Sequence, residues 1–345
     1  MNIRKRIASV FVVLCLCLTA VPLASCNKSD KLVIEMLGAD SFNTWLVTYA
    51  IRENKISSPD IELKITLAST TVYEVPLMAG NAPMGTLSSA NLATLQQEGI
   101  PLVAISTFVV HSGALEHNGV NFIITRADSA INSPEDLRGK TVSVANFASS
   151  ATASFIALLK MEYGIDAKMK EDIVDASNEV TLVQTGGNLA EAIRRGHIDI
   201  ALIGQQNEGP RASKDPDFKV VMNLDDIFYS IYGTPTVTSA LVVNRDFQQN
   251  NPEAVEAAYE LLKRSLAYGD EHLDELAAKF AAEREDREHA DFYKMIYNGH
   301  SGISLGEIEG EVKDSIMAVF GFSLMAGRLD ALPDPDVVFG SPYVR

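Results

Sequence analysis

Ser304 lies in Gly302-Ile303-Ser304-Leu305-Gly306, the G-x-S-x-G spacing that presents a nucleophilic serine on a strand-to-helix turn. That chemistry needs a strand before the serine and a histidine after it. The preceding ADFYKMIYNGH reads as a helix, and the last of the six histidines is His300, so no base follows. A loop is expected here, not a nucleophile. The other histidines, His111, His117, His197, His272 and His289, are scattered without metal-ligand spacing. Asp270 and Glu271 beside His272 belong to an acidic helical stretch that reads as a solvated face. The dense run REDREHAD near Glu285 reads the same way. Phosphate-cradling and dinucleotide glycine patterns are missing too. The expectation is no catalytic residue, no metal site and no cofactor.

Cysteine chemistry is removed by the leader. Arg4, Lys5 and Arg6 precede an apolar run from Ile7, and Leu23-Ala24-Ser25-Cys26 follows it. Residues 1–25 read as a secretion signal, and the run is short for a membrane span. Leu23 to Cys26 resembles the bacterial lipobox, so Cys26 is expected to carry lipid as the first mature residue. Cys15 and Cys17 leave with the signal, and no cysteine remains for disulfides, thiol catalysis or metal. The fold must then rest on its apolar core, for which about 320 residues suffice, as two domains. The net charge is −16, and losing the three basic leader residues takes it to −19. That disfavours nucleic acid or an anionic lipid surface as partner.

The elements alternate. After the tether 26–31, KLVIEML is a strand, TWLVTYAIREN a helix and IELKITLAS a strand. TVYEVPLMAG is a short helix disturbed by Pro76, APMGTLS a strand, SANLATLQQEG a helix and PLVAIST a strand. The pattern loosens over FVVHSGALEHNGV and restarts at NFIIT. SPEDLRG reads as a one-turn helix, KTVSVANF as a strand and ATASFIALLKMEYG as a helix. Then come strand VTLVQT, helix GNLAEAIRRG, strand HIDIALIG and strand FKVVMNL. ALVVNRDF is a strand, and NPEAVEAAYELLKRSLAYGD a helix capped by Asn251 with Glu260 and Arg264 as an i,i+4 pair. The remainder reads as helical. Strand–helix alternation predicts an α/β fold with largely parallel sheets.

In such sheets ligands bind beyond the carboxyl ends of strands, against helix N-termini. In the first half those loops offer Ser41, Phe42, Asn43 and Trp45, then Ser88 and Ser89. In the second half they offer Asn146, Phe147, Ser149, Ser150 and Thr152, then Gln205, Gln206 and Asn207. Phe228, Tyr229 and Tyr232 lie where the chain returns to the first half. Each serine alone would serve as a helix cap, and each aromatic as core. Together they place hydroxyls, amides and rings in equivalent loops with almost no charge. The turn SVANFASSATASF, residues 143–155, is wholly uncharged. Such a surface suits a ligand held by hydrogen bonds and stacking. His111 is the one candidate cation near these loops. Replacing Ser149 and Ser150 by alanine is expected to weaken binding with little loss of stability.

Three blocks carry a resemblance. INSPEDLRGKTVSVANFASSATASFIALLKMEYGID and LAEAIRRGHIDIALIG are similar to the second-lobe blocks of a family of solute-binding proteins of ABC importers. That family comprises the nitrate/sulfonate/taurine and thiamine-pyrimidine-precursor types. MAGNAPMGTLSSANLATLQQEGIPLVAIS resembles the first-lobe block, with Asn81-Ala82-Pro83 in place of the usual acidic residue. The resemblance implies a two-crossover, type II periplasmic-binding-protein fold with two α/β lobes around a cleft. Lobe I would take residues 32–107 and 240–345, lobe II residues 120–228, and the hinges would lie near 107–120 and 228–240. It implies a monomer anchored through Cys26 at the extracytoplasmic face of a bacterial membrane. The lobes would close on a small organic ligand and deliver it to an ABC permease. A planar heterocycle, an aromatic acid or a sulfonate-like anion would each fit. A receptor feeding a sensor and an enzyme on the same fold are the alternatives.

Overall fold

The computed structural model describes residues 31–111, 118–147, 149–204, 208–285 and 289–343. The leader, the tether to Asp30, Cys26, Gln205, Gln206 and Asn207 lie outside these residues. The chain opens with strand β1 (Leu32–Ala39), helix α1 (Phe42–Arg52), β2 (Ile61–Ala68), α2 (Thr70–Met78), β3 (Met84–Ser88), α3 (Ser89–Gln97) and β4 (Leu102–His111). A second series follows: β5 (Phe122–Arg126), β6 (Thr141–Val144), α4 (Ser150–Tyr163), β7 (Ala167–Met169), β8 (Val180–Gln184), α5 (Leu189–Arg194), β9 (Ile200–Ile203), α6 (Glu208–Lys214), β10 (Phe218–Asn223) and α7 (Leu224–Tyr232). The chain then returns through β11 (Thr236–Asn244), α8 (Arg245–Asn250), α9 (Pro252–Glu271), α10 (Leu273–Glu283), α11 (Ala290–Gly299), β12 (Ser301–Ile303), α12 (Gly310–Met325) and α13 (Pro335–Val338).

Two six-stranded sheets result, ordered β12-β4-β11-β3-β1-β2 and β10-β5-β9-β6-β8-β7. Both are mixed, with three of five pairings antiparallel in the first and two of five in the second, so the expectation of largely parallel sheets does not hold for the first. In the first, β1 runs parallel to β2 and β3, whereas β11 is antiparallel to both β3 and β4. In the second, β6 runs parallel to β8 and β9, whereas β5 is antiparallel to β9 and β10. Every antiparallel pairing involves β4, β5 or β11, strands on which the chain enters or leaves a sheet. The crossing strands β4 and β11 lie side by side, so the two passages between the sheets are hydrogen-bonded to each other.

Each sheet has apolar side chains on both faces. The first packs Ile34, Met36, Ile105 and Val243 against Tyr259 and Leu262 of α9 on one face. Its other face packs Leu87, Ala104 and Val242 against Ile316 and Phe320 of α12. The second sheet packs Val142, Val144 and Leu202 against Phe155, Leu158 and Leu159 of α4. Helix α12 also lends Val319 and Phe322 to this second core, so one helix is buried on both sides.

Local signals explain most helix ends. Ser41, Ser88 and Ser149 cap α1, α3 and α4, each side chain accepting the backbone N–H three residues on. Gly164 and Gly233 close α4 and α7 with φ of 63° and 70°, a region that favours glycine. Other details differ from the sequence reading. Asn251 precedes α9, but its amide donates to the Phe247 carbonyl and does not cap. Arg264 donates to the Ser57 carbonyl, while Glu260 pairs with Lys263 at 3.1 Å. Gly302 and Ile303 belong to β12 on the edge of β4 and not to a free loop. Residues 224–232 form α7, a helix that the sequence reading left as part of the return passage.

Candidate functional site

A cleft of about 560 Å³ opens where the strand ends of the two sheets face each other. From the first sheet it receives Ala39 and Ser41 after β1, Ala68 and Ser69 after β2, and Thr86 and Ser88 of β3. The crossing strands add Phe108, Val109, His111, Thr238 and Ser239. The second sheet contributes Val120 and Asn121 before β5, Ser149, Ser150 and Ala151 at the start of α4, and Gly204 after β9.

Four of the serines expected at the site line the cleft, and three of them are helix caps. Ser41 accepts from the Thr44 N–H at 3.4 Å, Ser88 from the Asn91 N–H at 3.2 Å, and Ser149 from the Thr152 N–H at 3.2 Å. The helix starts are therefore aimed at the cleft, with their partial positive charge, by the same hydroxyls that satisfy them. Ser150 has no hydrogen-bond partner among the described residues and is free to meet a ligand.

The other expected residues lie elsewhere. Ser89 is fully buried and donates to the Val237 carbonyl at 2.8 Å, tying α3 to β11. Thr152 is buried and donates to the Asn146 carbonyl at 2.9 Å, which shapes the turn from beneath. Phe147 packs against the second core, and its N–H donates to Gln184. Phe42 and Trp45 are buried in an aromatic cluster with Phe280 and Tyr293. Phe42 meets Phe280 at 5.2 Å and Trp45 meets Phe280 at 5.3 Å between centroids. Tyr232 lies against Phe228 and Phe322 and does not line the cleft. Burial raises the Tyr232 phenol above its ordinary pKa. Tyr229, more than one-third exposed, does not line the cleft. Aromatic rings do reach the cleft, but they are Phe108, Phe280 and Tyr293. Gln205 and Asn207 fall outside the described residues.

Several lining groups escaped the sequence reading. Arg284 ends the helical run of α10, in the stretch taken for a solvated face. Its guanidinium stacks 3.7 Å from the Phe280 centroid and pairs with Asp40 of the β1 loop. Glu74 enters from α2 and accepts from the Asn91 side-chain amide, with both oxygens at 3.1 Å. Burial raises the Glu74 carboxyl above its ordinary pKa, and the Asn91 hydrogen bond only partly opposes this. The signal for these residues was three-dimensional, since Asp40 and Arg284 lie 244 positions apart.

Behind the cleft sits a buried polar network. Asp225 of α7 accepts from the Val120 N–H at 2.7 Å and the Asn121 N–H at 3.0 Å. Its other oxygen lies 3.2 Å from His111 Nδ1 and accepts from Thr236 at 3.3 Å. Burial alone would raise the Asp225 carboxyl, but the His111 charge, the His111 hydrogen bond and the two amides outweigh it and hold it below the ordinary value. His111 belongs to β4 and Asp225 to the helix after β10, so the pair joins the two sheets at the crossing. Its Nε2 also lies 3.3 Å from the Thr238 hydroxyl. Thus the histidine expected near the loops is present, and its ring is engaged from behind by Asp225. His300 completes the region: Nδ1 is 2.8 Å from the Gly119 carbonyl, and burial lowers its pKa.

Two lobes with a cleft at their strand ends and paired crossing strands define a periplasmic-binding-protein fold of the α/β class. Within that class the chain belongs to the NMT1/THI5-like family, whose pattern it matches over residues 58–275. Solved structures share the fold. The periplasmic aliphatic sulphonate binding protein SsuA from Escherichia coli superposes with a TM-score of 0.68 at 13% identity, covering 88% of this chain and 96% of that one. A zinc-bound ligand-binding component of an ABC-type import system from Staphylococcus aureus gives 0.60 at 12%, covering 90% and 97%. The CA3427 gene product of Candida albicans, described as having the generic periplasmic binding protein fold, gives 0.62 at 10%, covering 91% and 97%. No curated protein sequence matches the chain. Among the described residues, no group of three His, Cys, Asp or Glu side chains is placed to hold a metal ion.

Proposed function

We propose that this protein is the extracytoplasmic solute-binding component of an ABC importer, a binding protein and not an enzyme. The observation that carries the reading is the cleft itself. Serine-capped helix starts from both sheets converge on one volume of about 560 Å³. That is the size of a small-molecule site. Neither wall encloses a small molecule alone, so ligand favours the arrangement in which both walls contact it at once. Residues 107–120 and 228–240 serve as hinges, joining lobe I (32–107 and 240–345) to lobe II (120–228). The closed complex is what a membrane permease receives. The protein acts as a monomer, and the lipobox supports lipid on Cys26 at the outer face of a bacterial membrane, which raises its effective concentration near the permease.

The test is mass spectrometry of small molecules released on denaturing the purified mature protein, followed by calorimetric titration of whatever is released. Stoichiometric release and rebinding without turnover are expected. Turnover of the released compound would overturn the reading. Cys26→Ser should free the protein from membranes, and continued lipid labelling of that variant would remove the anchor.

A further inference from the structure

Among the described residues, the ionisable side chains lining the cleft fall into three groups, and two have an ionisable partner within the protein. Asp40 is paired with Arg284. His111 is paired with Asp225. Glu74 is the third. No ion pair involves it among the described residues, and its one partner there is the neutral amide of Asn91. The backbone of Asn91 is itself anchored, because its N–H donates to the α3 cap Ser88. One amide nitrogen spans both carboxylate oxygens, which leaves further acceptor positions turned to the cleft. Among the described residues, the rest of that wall offers hydroxyls from Ser69, Thr86 and Ser88 and, beyond Arg284, no further lysine or arginine. A partly buried carboxylate with one neutral donor is costly until a cation or strong donor reaches it.

Resting on the solute-binding reading above, we infer that Glu74 selects a ligand carrying a cationic nitrogen group, an ammonium or amidinium, and disfavours sulfonate-like anions. Such a group places its N–H donors on the carboxylate held by Asn91, while an attached ring or chain lies along Phe280 and Tyr293. An anion in the same position meets an unneutralised carboxylate in a partly dry cleft, where like charges repel more strongly than in water. Burial also raises the Glu74 carboxyl, and a cationic ligand would reverse that trend.

Three probes with one ring and different head groups separate the possibilities: benzamidine, benzamide and benzenesulfonate. Each is titrated into the full mature protein by ligand-detected NMR, with circular dichroism and melting temperature as folding controls. Benzamidine should bind at least about tenfold more tightly than benzenesulfonate. Glu74→Gln, which keeps shape and removes charge, should weaken benzamidine about ten- to a hundredfold and leave benzamide nearly unchanged. Glu74→Lys should reverse the order of benzamidine and benzenesulfonate. Tighter binding of benzenesulfonate by the unaltered protein, or benzamidine binding indifferent to Glu74→Gln, overturns the assignment and leaves the solute-binding reading standing. A co-purified ligand without a cationic nitrogen does the same. Should no probe bind and no small molecule be released on denaturation, the solute-binding reading fails and this assignment with it.

Discussion

The two walls of the cleft differ in kind. The wall built from β5, β9 and the start of α4 presents Val120, Asn121, Ser149, Ser150, Ala151 and Gly204, without a formal charge among the described residues. The opposite wall carries Asp40, Glu74 and Arg284 together with Phe280 and Tyr293. Hydroxyls and helix starts can receive many guests, because they commit little. A held carboxylate, an ion pair and two rings commit a great deal. On the solute-binding reading proposed above, the asymmetry would divide the labour: the first lobe would discriminate, and the second would close over what the first has chosen.

The comparison can be broken most forcefully where the walls are joined. Asp225→Ala strands His111 and two backbone N–H groups without their carboxylate. Removing one member of a buried pair costs about 3–5 kcal/mol, which urea denaturation would read as a lower midpoint with little change in slope. A midpoint close to that of the unaltered protein would show that the walls are held together by packing alone. The same carboxylate has a pH signature. Its folded pKa lies below the ordinary value, so its contribution is complete above about pH 4 and is lost as pH falls through the carboxylate range. Asp225→Asn should flatten the acid limb of the stability profile.

On the uncharged wall the effects are smaller, and the two serines separate. Ser149→Ala removes the cap of α4 and should cost about 1 kcal/mol of stability. Ser150→Ala should leave the melting temperature unchanged and weaken binding of the co-purified ligand in calorimetry. This refines the expectation that both serines could be replaced with little loss. Equal stability of the two variants would undo the distinction. Smaller than the loss of the cap is the stability effect of Arg284→Met. Its ion pair with Asp40 is partly exposed and contributes under about 1 kcal/mol, yet the change leaves Asp40 unanswered in the cleft. Chemical denaturation should barely register it, whereas calorimetric titration should show altered ligand affinity.

Much of this was legible in the sequence, and the unread parts have a common cause. Short-range signals locate the strands, the serine caps and Gly164, because each acts within four residues. The turn around Ser149 and Ser150 was found that way. The neutral character assigned to the whole site came from that turn, and it describes one wall. Glu74 and Arg284 reach the cleft from helical segments and not from the loops after strands, so no strand-end argument points to them. Phe42 and Trp45 occupy the expected loop position, but their helix turns them into the aromatic cluster. The mixed sheets were hidden for a similar reason: β11 inserts between β3 and β4 from more than a hundred residues away.

Trp45 is the only tryptophan in the chain. It is buried, lies 4.9 Å from Tyr49, and its ring packs at 5.3 Å on Phe280, which lines the cleft. Its emission is therefore a built-in optical gauge of the first lobe. Red-shifted light will report that this lobe has come apart, while the second lobe stays dark at that wavelength. Ligand arrival reaches the indole one ring removed, as a change in brightness more than in colour.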